Sequence, residues 1–264
     1  MSKSIFIGLT SGYIKAYCLL IMGHALQHLN VEDAEIHWAL TDVGLPESDK
    51  YHADVDSVMK ITGRKYQLHD VKLTEKEAMT PYQAILRNRA RIRELFLDST
   101  CDELMMIGGD NPPWMNAVEL LRECDADIAF GVSYQRPGKD RYGRAVYPMV
   151  QRPLWTMRDV EKHNLPRKVY QAFRRFFINE AIILPVYLEE DWEKQGILED
   201  VIGGDGNCLL RRPVVEEFGW VLHPQSKLSE DMLYMRNALA YGYSVKCNTS
   251  YHVPHIHDEN LRSY

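Results

Sequence analysis

The run Leu104-Met105-Met106-Ile107, stopped at once by Gly108-Gly109-Asp110-Asn111-Pro112-Pro113, constrains the fold more than any other stretch of this chain. Four large apolar residues without alternation read as a strand buried on both faces, which belongs in a parallel sheet covered by helices. The same grammar occurs at the start. An apolar run at 4–9 ends at Thr10-Ser11-Gly12, and a helical stripe follows at Ile14, Cys18, Ile21, Ala25 and Leu29. Strand, small-residue turn and helix in that order predict an α/β fold whose ligands sit at the carboxyl ends of its strands.

Further strands are expected at 35–40 (followed by Thr41-Asp42), 66–71, 127–132, 178–184, 207–210 and 244–247. Helices are expected around 53–61, 87–97 and 114–122, with a last one opening at Ser229-Glu230-Asp231. Residues 87–97 carry Ile92, Leu95 and Phe96 inward and Arg87, Arg89, Arg91 and Arg93 along the same helix. Ser229 is a natural N-cap, and Met232, Met235 and Leu239 form an inner face. Residues 189–200 read as an acidic, solvated helix or loop, and Gly203-Gly204-Asp205-Gly206 as a turn.

The 264 residues carry a formal net charge of −6, which excludes a polycation built to coat nucleic acid. That charge is unevenly placed. Between 136 and 175 eleven Lys and Arg face three Asp and Glu, a local charge of +8 that leaves −14 for the remainder. Five scattered cysteines with no Cys-x-x-Cys pair argue against a disulfide framework and point to a reducing compartment, the cytoplasm. No stretch approaches the ~20 apolar residues of a membrane span.

Asp110, in the loop after a buried strand, can reach a divalent cation that bridges phosphates, as hard oxygen donors suit Mg²⁺ or Mn²⁺. The same six residues also make an ordinary turn. His252, His255 and His257 form H-x-x-H-x-H; strand alternation disfavours a three-histidine zinc site, leaving one histidine to join Asp110, or plain surface histidines. Glu230 and Asp231 sit where a helix dipole keeps carboxylates ionised, as a general base needs and as simple capping also provides.

Taken in order, Arg87-Asn88, the 101–110 run ending Gly108-Gly109-Asp110, Asp127-Ile128-Ala129-Phe130-Gly131, Gly204-Asp205-Gly206-Asn207, Ser229-Glu230-Asp231 and Val253-Pro254-His255-Ile256 resemble the motifs of the GT-A glycosyltransferases, the family 2 type in particular. The resemblance runs from about residue 5 to 256, with no counterpart between 136 and 179, and Gly108 stands where the family's Asp-x-Asp has its first Asp. It implies a single α/β GT-A domain with a mixed, mostly parallel sheet flanked by helices. Residues 1–132 would form a Rossmann-like nucleotide-sugar-binding half, and 133–264 an acceptor half containing the basic segment. It further implies a nucleoside-diphosphate sugar donor contacted by Thr10, Ser11, Gly12, Asp42, Arg87, Gly108, Gly109, Asp110, Asn111, Gly204 and Gly206. Mn²⁺ or Mg²⁺ would be held by Asp110 and His255, and Asp231, or else Glu230, would deprotonate the acceptor hydroxyl for an inverting displacement.

The basic segment interleaves aromatics with Arg141, Arg144, Arg174 and Arg175, which suits a polyanionic acceptor such as a hydroxylated base in DNA or an anionic glycan. A solvated face paired with the acidic remainder explains it equally well. Two other classes share these features: a nucleotidyltransferase attacking the α-phosphate, and a non-catalytic module that binds a nucleotide sugar or nucleic acid.

Overall fold

The computed structural model describes residues 4–31, 33–74, 77, 81–133, 150–151, 196–203, 206–222 and 229–256. Four parallel strands form one half of an eight-stranded sheet: β1 (Ile5–Ser11), β2 (Ile36–Asp42), β3 (Tyr66–Lys72) and β4 (Glu103–Gly108), in the order β3-β2-β1-β4. The sheet continues through β9 (Asn207–Arg211), β5 (Ile128–Ser133), β10 (Val245–Val253) and β7 (Ile197–Glu199). Strand β9 runs antiparallel between β4 and β5, whereas β5 and β10 are parallel. A separate ribbon pairs β6 (Val150–Gln151) with β8 (Ile202–Gly203).

Helices cover both faces, as a sheet with continuously apolar inner strands requires. On one face lie α1 (Leu19–His28), α2 (Pro46–Thr62) and α4 (Ala117–Arg122), burying Met22, Leu26, Val55, Met59, Val118 and Leu121 against Ile7, Leu9 and Ile107. On the other, α3 (Pro81–Asp98) and α6 (Glu230–Tyr241) bury Ile92, Phe96, Met232 and Met235 against Phe6, Leu104 and Met106. Helix α5 (Arg212–Glu217) follows β9 and adds Val214 and Val215 to that second core. Gly8 of β1 lets α3 approach closely, because any Cβ there would run into the Ile92 side chain. Helix α2 starts with Pro46 at its first turn and ends at Gly63 in the left-handed region (φ 68°), so its ends are set by local chemistry.

Several expectations shift. The stripe at Ile14 and Ile21 faces outward, 61% and 40% exposed, because residues Tyr13–Cys18 form a 3-10 helix before α1. Cys18 and Leu29 of the stripe are buried as expected, but the tighter turn rephases the helix between them, so Leu19, Met22 and Leu26 are buried in place of Ile14 and Ile21. Strand β1 extends through Thr10 and Ser11, which pair with Gly108 and Leu40 rather than forming the turn. Within the expected acidic loop, residues 197–199 form β7, an antiparallel edge for β10 secured by Lys246 and Glu199 at 3.0 Å. Strand β10 continues to Val253 past an irregularity between Asn248 and His252, carrying the histidine segment back into the sheet. The strand expected at 178–184 lies outside the described residues.

Candidate active site

The loop after β4 and the 3-10 helix after β1 meet the segment that follows β10. Asp110, two residues beyond β4, is buried, and its backbone carbonyl accepts the Ile256 N–H at 2.9 Å. This bond docks the Pro254-His255-Ile256 segment onto the loop, and the Tyr17 hydroxyl donates to the Ile256 carbonyl at 3.2 Å. His255 Nε2 consequently lies 3.0 Å from Asp110 Oδ2. The Lys15 ammonium, from the 3-10 helix after β1, reaches the same oxygen. Burial opposes ionisation of Asp110, but the His255 hydrogen bond and the Lys15 charge outweigh it and hold its pKa down to about 2. Lys15 moves the opposite way: burial works against its charge, yet Asp110 raises its pKa above the ordinary lysine value.

Gly108 and Gly206 close the floor of this site. The Gly108 N–H donates to the Gly206 carbonyl at 3.0 Å, and the Asn111 N–H donates to the Gly108 carbonyl at 3.0 Å. A Cβ on residue 108 would stand 2.5 Å from Asn111 Oδ1, while Asn111 Nδ2 donates to the Pro254 carbonyl at 3.1 Å. The Asn111 carboxamide thus fills the space beside a glycine where an aspartate side chain would start. Gly109 is equally confined, its Cβ direction blocked by the Ser11 side chain at 2.5 Å.

The other anticipated donor residues divide. Gly12 abuts Thr41 and Asp42 ends β2, so both lie at the same sheet edge. Thr10 is buried at the end of β1. Ser11 ends β1 with its hydroxyl turned into the core: its Oγ accepts from Trp38 Nε1 at 2.7 Å and contacts the Tyr51 hydroxyl at 2.9 Å, leaving only its backbone for a ligand. Burial of that tyrosine pushes its pKa up to about 12, so it remains a neutral partner. The Arg87 guanidinium is more than half exposed and pairs with Glu77 at 2.7 Å. Gly204, His257 and the four arginines Arg141, Arg144, Arg174 and Arg175 lie outside the described residues.

Glu230 and Asp231 open α6 as expected, with Ser229 Oγ accepting the Met232 N–H as the cap. Both are buried, and Arg89 of α3 is inserted between them, in contact with Asp231 and 3.4 Å from Glu230. Arg89 also lies over the Trp220 ring at 5.8 Å. Its neighbour Asn88 donates to the Ser11 carbonyl (3.1 Å) and to Thr41 Oγ1 (2.8 Å), tying the ends of β1 and β2 to α3. Lys15, Asn88 and Arg89 were absent from the site read in the sequence. Arg89 did carry a signal: with Ile92 and Phe96 it repeats at helical spacing, which puts an arginine on a buried face and demands an acidic partner.

The donor set bears on a metal. Among the described residues no group of three or more His, Cys, Asp and Glu converges, so these residues alone supply no closed cage. One carboxylate and one imidazole do converge, and Mn²⁺ or Mg²⁺ bound together with substrate phosphates needs little more from a protein. The residues present therefore fit such an ion.

Among solved structures, the chain is similar over its whole length to the mannosyltransferase PcManGT from Pyrobaculum calidifontis, solved with GDP-Man and Mn²⁺. The TM-score is 0.55 at 10% identity, and the chain spans 60% of that protein. It is also similar to glucosyl-3-phosphoglycerate synthase from Mycobacterium tuberculosis (TM-score 0.47, 11% identity, 99% of this chain and 74% of that one). A third similarity is to S. aureus TarS 1–349 in complex with UDP-GlcNAc (0.48, 6%, 95% and 57%). No family model matches the chain, and no curated protein does so. The architecture is that of the GT-A glycosyltransferases. No helix among the described residues is long and apolar enough to cross a membrane.

Proposed function

We propose that this protein is a metal-dependent glycosyltransferase that moves a sugar from a nucleoside-diphosphate donor to an acceptor hydroxyl with inversion. The observation that carries the reading is Asp110 Oδ2 facing His255 Nε2 at 3.0 Å, at the carboxyl end of β4 in a GT-A sheet. Asp110 and His255 would hold Mn²⁺ or Mg²⁺ on the donor diphosphate, where the ion supplies charge stabilisation to the leaving group. Gly12, Gly108, Gly109 and Gly206 would line the donor site, their missing side chains letting its loops pack closely on one another, and Asn88 fixes the strand ends that support it. Asp42 at the end of β2 is placed to meet the nucleoside. Asp231 takes the proton as the acceptor oxygen attacks the anomeric carbon and the sugar–phosphate bond breaks. Arg89, in contact with Asp231, holds that carboxylate in place. Residues 1–132 form the donor half, completed by Gly206 and His255, and the rest of 133–264 the acceptor half, in a protein we place in the cytoplasm.

The acceptor is proposed to be polyanionic, either DNA or an anionic glycan, on the strength of the +8 charge between 136 and 175. Binding of labelled DNA or anionic glycan should weaken with salt and with Arg→Ala changes at Arg141, Arg144, Arg174 and Arg175; salt-independent binding contradicts it. The activity itself is tested by incubating the protein and Mn²⁺ with UDP-, GDP-, CDP- and dTDP-sugars. Release of nucleoside diphosphate supports transfer of a sugar. Release of pyrophosphate from nucleoside triphosphates would instead mark a nucleotidyltransferase, and activity that survives both Asp110→Ala and Asp231→Asn would refute the residue roles.

A further inference from the structure

Lys15 occupies a position that the proposed chemistry leaves unexplained. It sits directly after β1, at the sheet edge where donor phosphates would lie, and its ammonium shares one carboxylate oxygen, Asp110 Oδ2, with His255. A divalent ion joining Asp110 and His255 cannot also tolerate an ammonium at contact distance, because like charges that close repel strongly in a buried setting. One of the two present partners must then leave. His255 is the less mobile, since the next residue, Ile256, is fixed by backbone bonds to Asp110 (2.9 Å) and to the Tyr17 hydroxyl (3.2 Å). Lys15 ends a flexible four-carbon stem, and its side chain is 31% exposed. A lysine ammonium is also a compact cation with three rotatable donors, well matched to phosphate oxygens.

We infer that Lys15 is an exchangeable counter-ion: it neutralises Asp110 in the free protein and transfers to the donor diphosphate when a divalent ion takes Asp110 and His255. This rests on the nucleotide-sugar reading of the site. It makes two predictions of opposite sign for Lys15→Met. With its competitor removed, Mn²⁺ should bind the free protein about tenfold more tightly. With a phosphate partner removed, UDP or GDP should bind about tenfold more weakly, both in Mn²⁺ and in EDTA. Lys15→Arg keeps the charge and should recover most of the nucleotide affinity.

The experiment is calorimetric titration of wild type, Lys15→Met and Lys15→Arg with MnCl₂ alone, then with UDP and GDP in Mn²⁺ and in EDTA. Tighter Mn²⁺ and weaker nucleotide binding in Lys15→Met, with recovery in Lys15→Arg, supports the exchange. Unchanged or weaker Mn²⁺ binding in Lys15→Met, or unchanged nucleotide binding, overturns it while leaving the nucleotide-sugar reading intact. A wild type that binds none of UDP, GDP, CDP and dTDP, in Mn²⁺ or in EDTA, overturns that reading, and the exchange with it.

Discussion

Two carboxylate clusters of this molecule are each neutralised by a cation, and they are built differently. Asp110 at the end of β4 is met by Lys15 and His255, whose side chains are 31% and 24% exposed. Asp231 and Glu230 at the start of α6 are met by Arg89, whose side chain is 3% exposed and capped by Trp220. A lysine on a loose stem can be exchanged for another cation. A guanidinium buried between two carboxylates cannot leave without stranding charge in the core. The first cluster is arranged to change partners during a reaction, and the second to hold one group in one place.

The largest expected effect falls on the fixed cluster. Asp231→Asn keeps the shape but removes the proton acceptor, so kcat should fall by about 10²–10⁴-fold while donor binding persists; initial-rate kinetics over a donor series measure both. Arg89→Met leaves Glu230 and Asp231 buried without their cation and should cost about 3–5 kcal/mol of stability in denaturant unfolding. An effect below about 1 kcal/mol would mean that the pair is not the internal strut described here.

On the exchangeable side the effects are smaller. Asp110 has its pKa held down to about 2, so it contributes stability that is present above the usual aspartate range and lost as pH falls from about 4 towards about 2. That contribution is about 2 kcal/mol, and Asp110→Asn should flatten the corresponding part of a stability-against-pH curve. Asn88→Ala, which unties β1 and β2 from α3, should cost about 1–2 kcal/mol in the same assay. Gly108→Asp meets Asn111 Oδ1 and should lower the melting temperature by a few degrees, about 1 kcal/mol in a chain of this size. Adding Asn111→Ala should recover part of that loss, a non-additivity expected only of side chains competing for one space.

The same contrast explains what could be read from the chain. Local features were legible: the buried run of β4, the Gly-Gly-Asp loop, the Ser229 cap and the Glu230-Asp231 helix start all follow from short-range patterning. The Ile14 and Ile21 stripe misled because a 3-10 turn changes the period before α1 begins. What was not legible is long-range pairing. Lys15 meets Asp110 across 95 positions, and Arg89 meets the α6 carboxylates from a helix more than a hundred residues earlier. Arg87 drew attention as the charged member of Arg87-Asn88, yet the adjacent Asn88 and Arg89 face the interior, because the helical phase set by Ile92 and Phe96 turns them inward. The direction of the Ser11 hydroxyl was not legible either, because it is set by Trp38 and Tyr51, distant in sequence.

The most direct test is a thermal-shift matrix of UDP-, GDP-, CDP- and dTDP-sugars with and without Mn²⁺, run on wild type, Asp110→Ala and His255→Ala. A ligand that binds only the folded state raises its melting temperature, by an amount that grows with the logarithm of its concentration over Kd. At least one nucleotide sugar should stabilise the wild type, more strongly with Mn²⁺ than without, and this metal-dependent increment should disappear in both variants. No shift with any donor, or an increment that survives the loss of Asp110 and of His255, would contradict the proposed function.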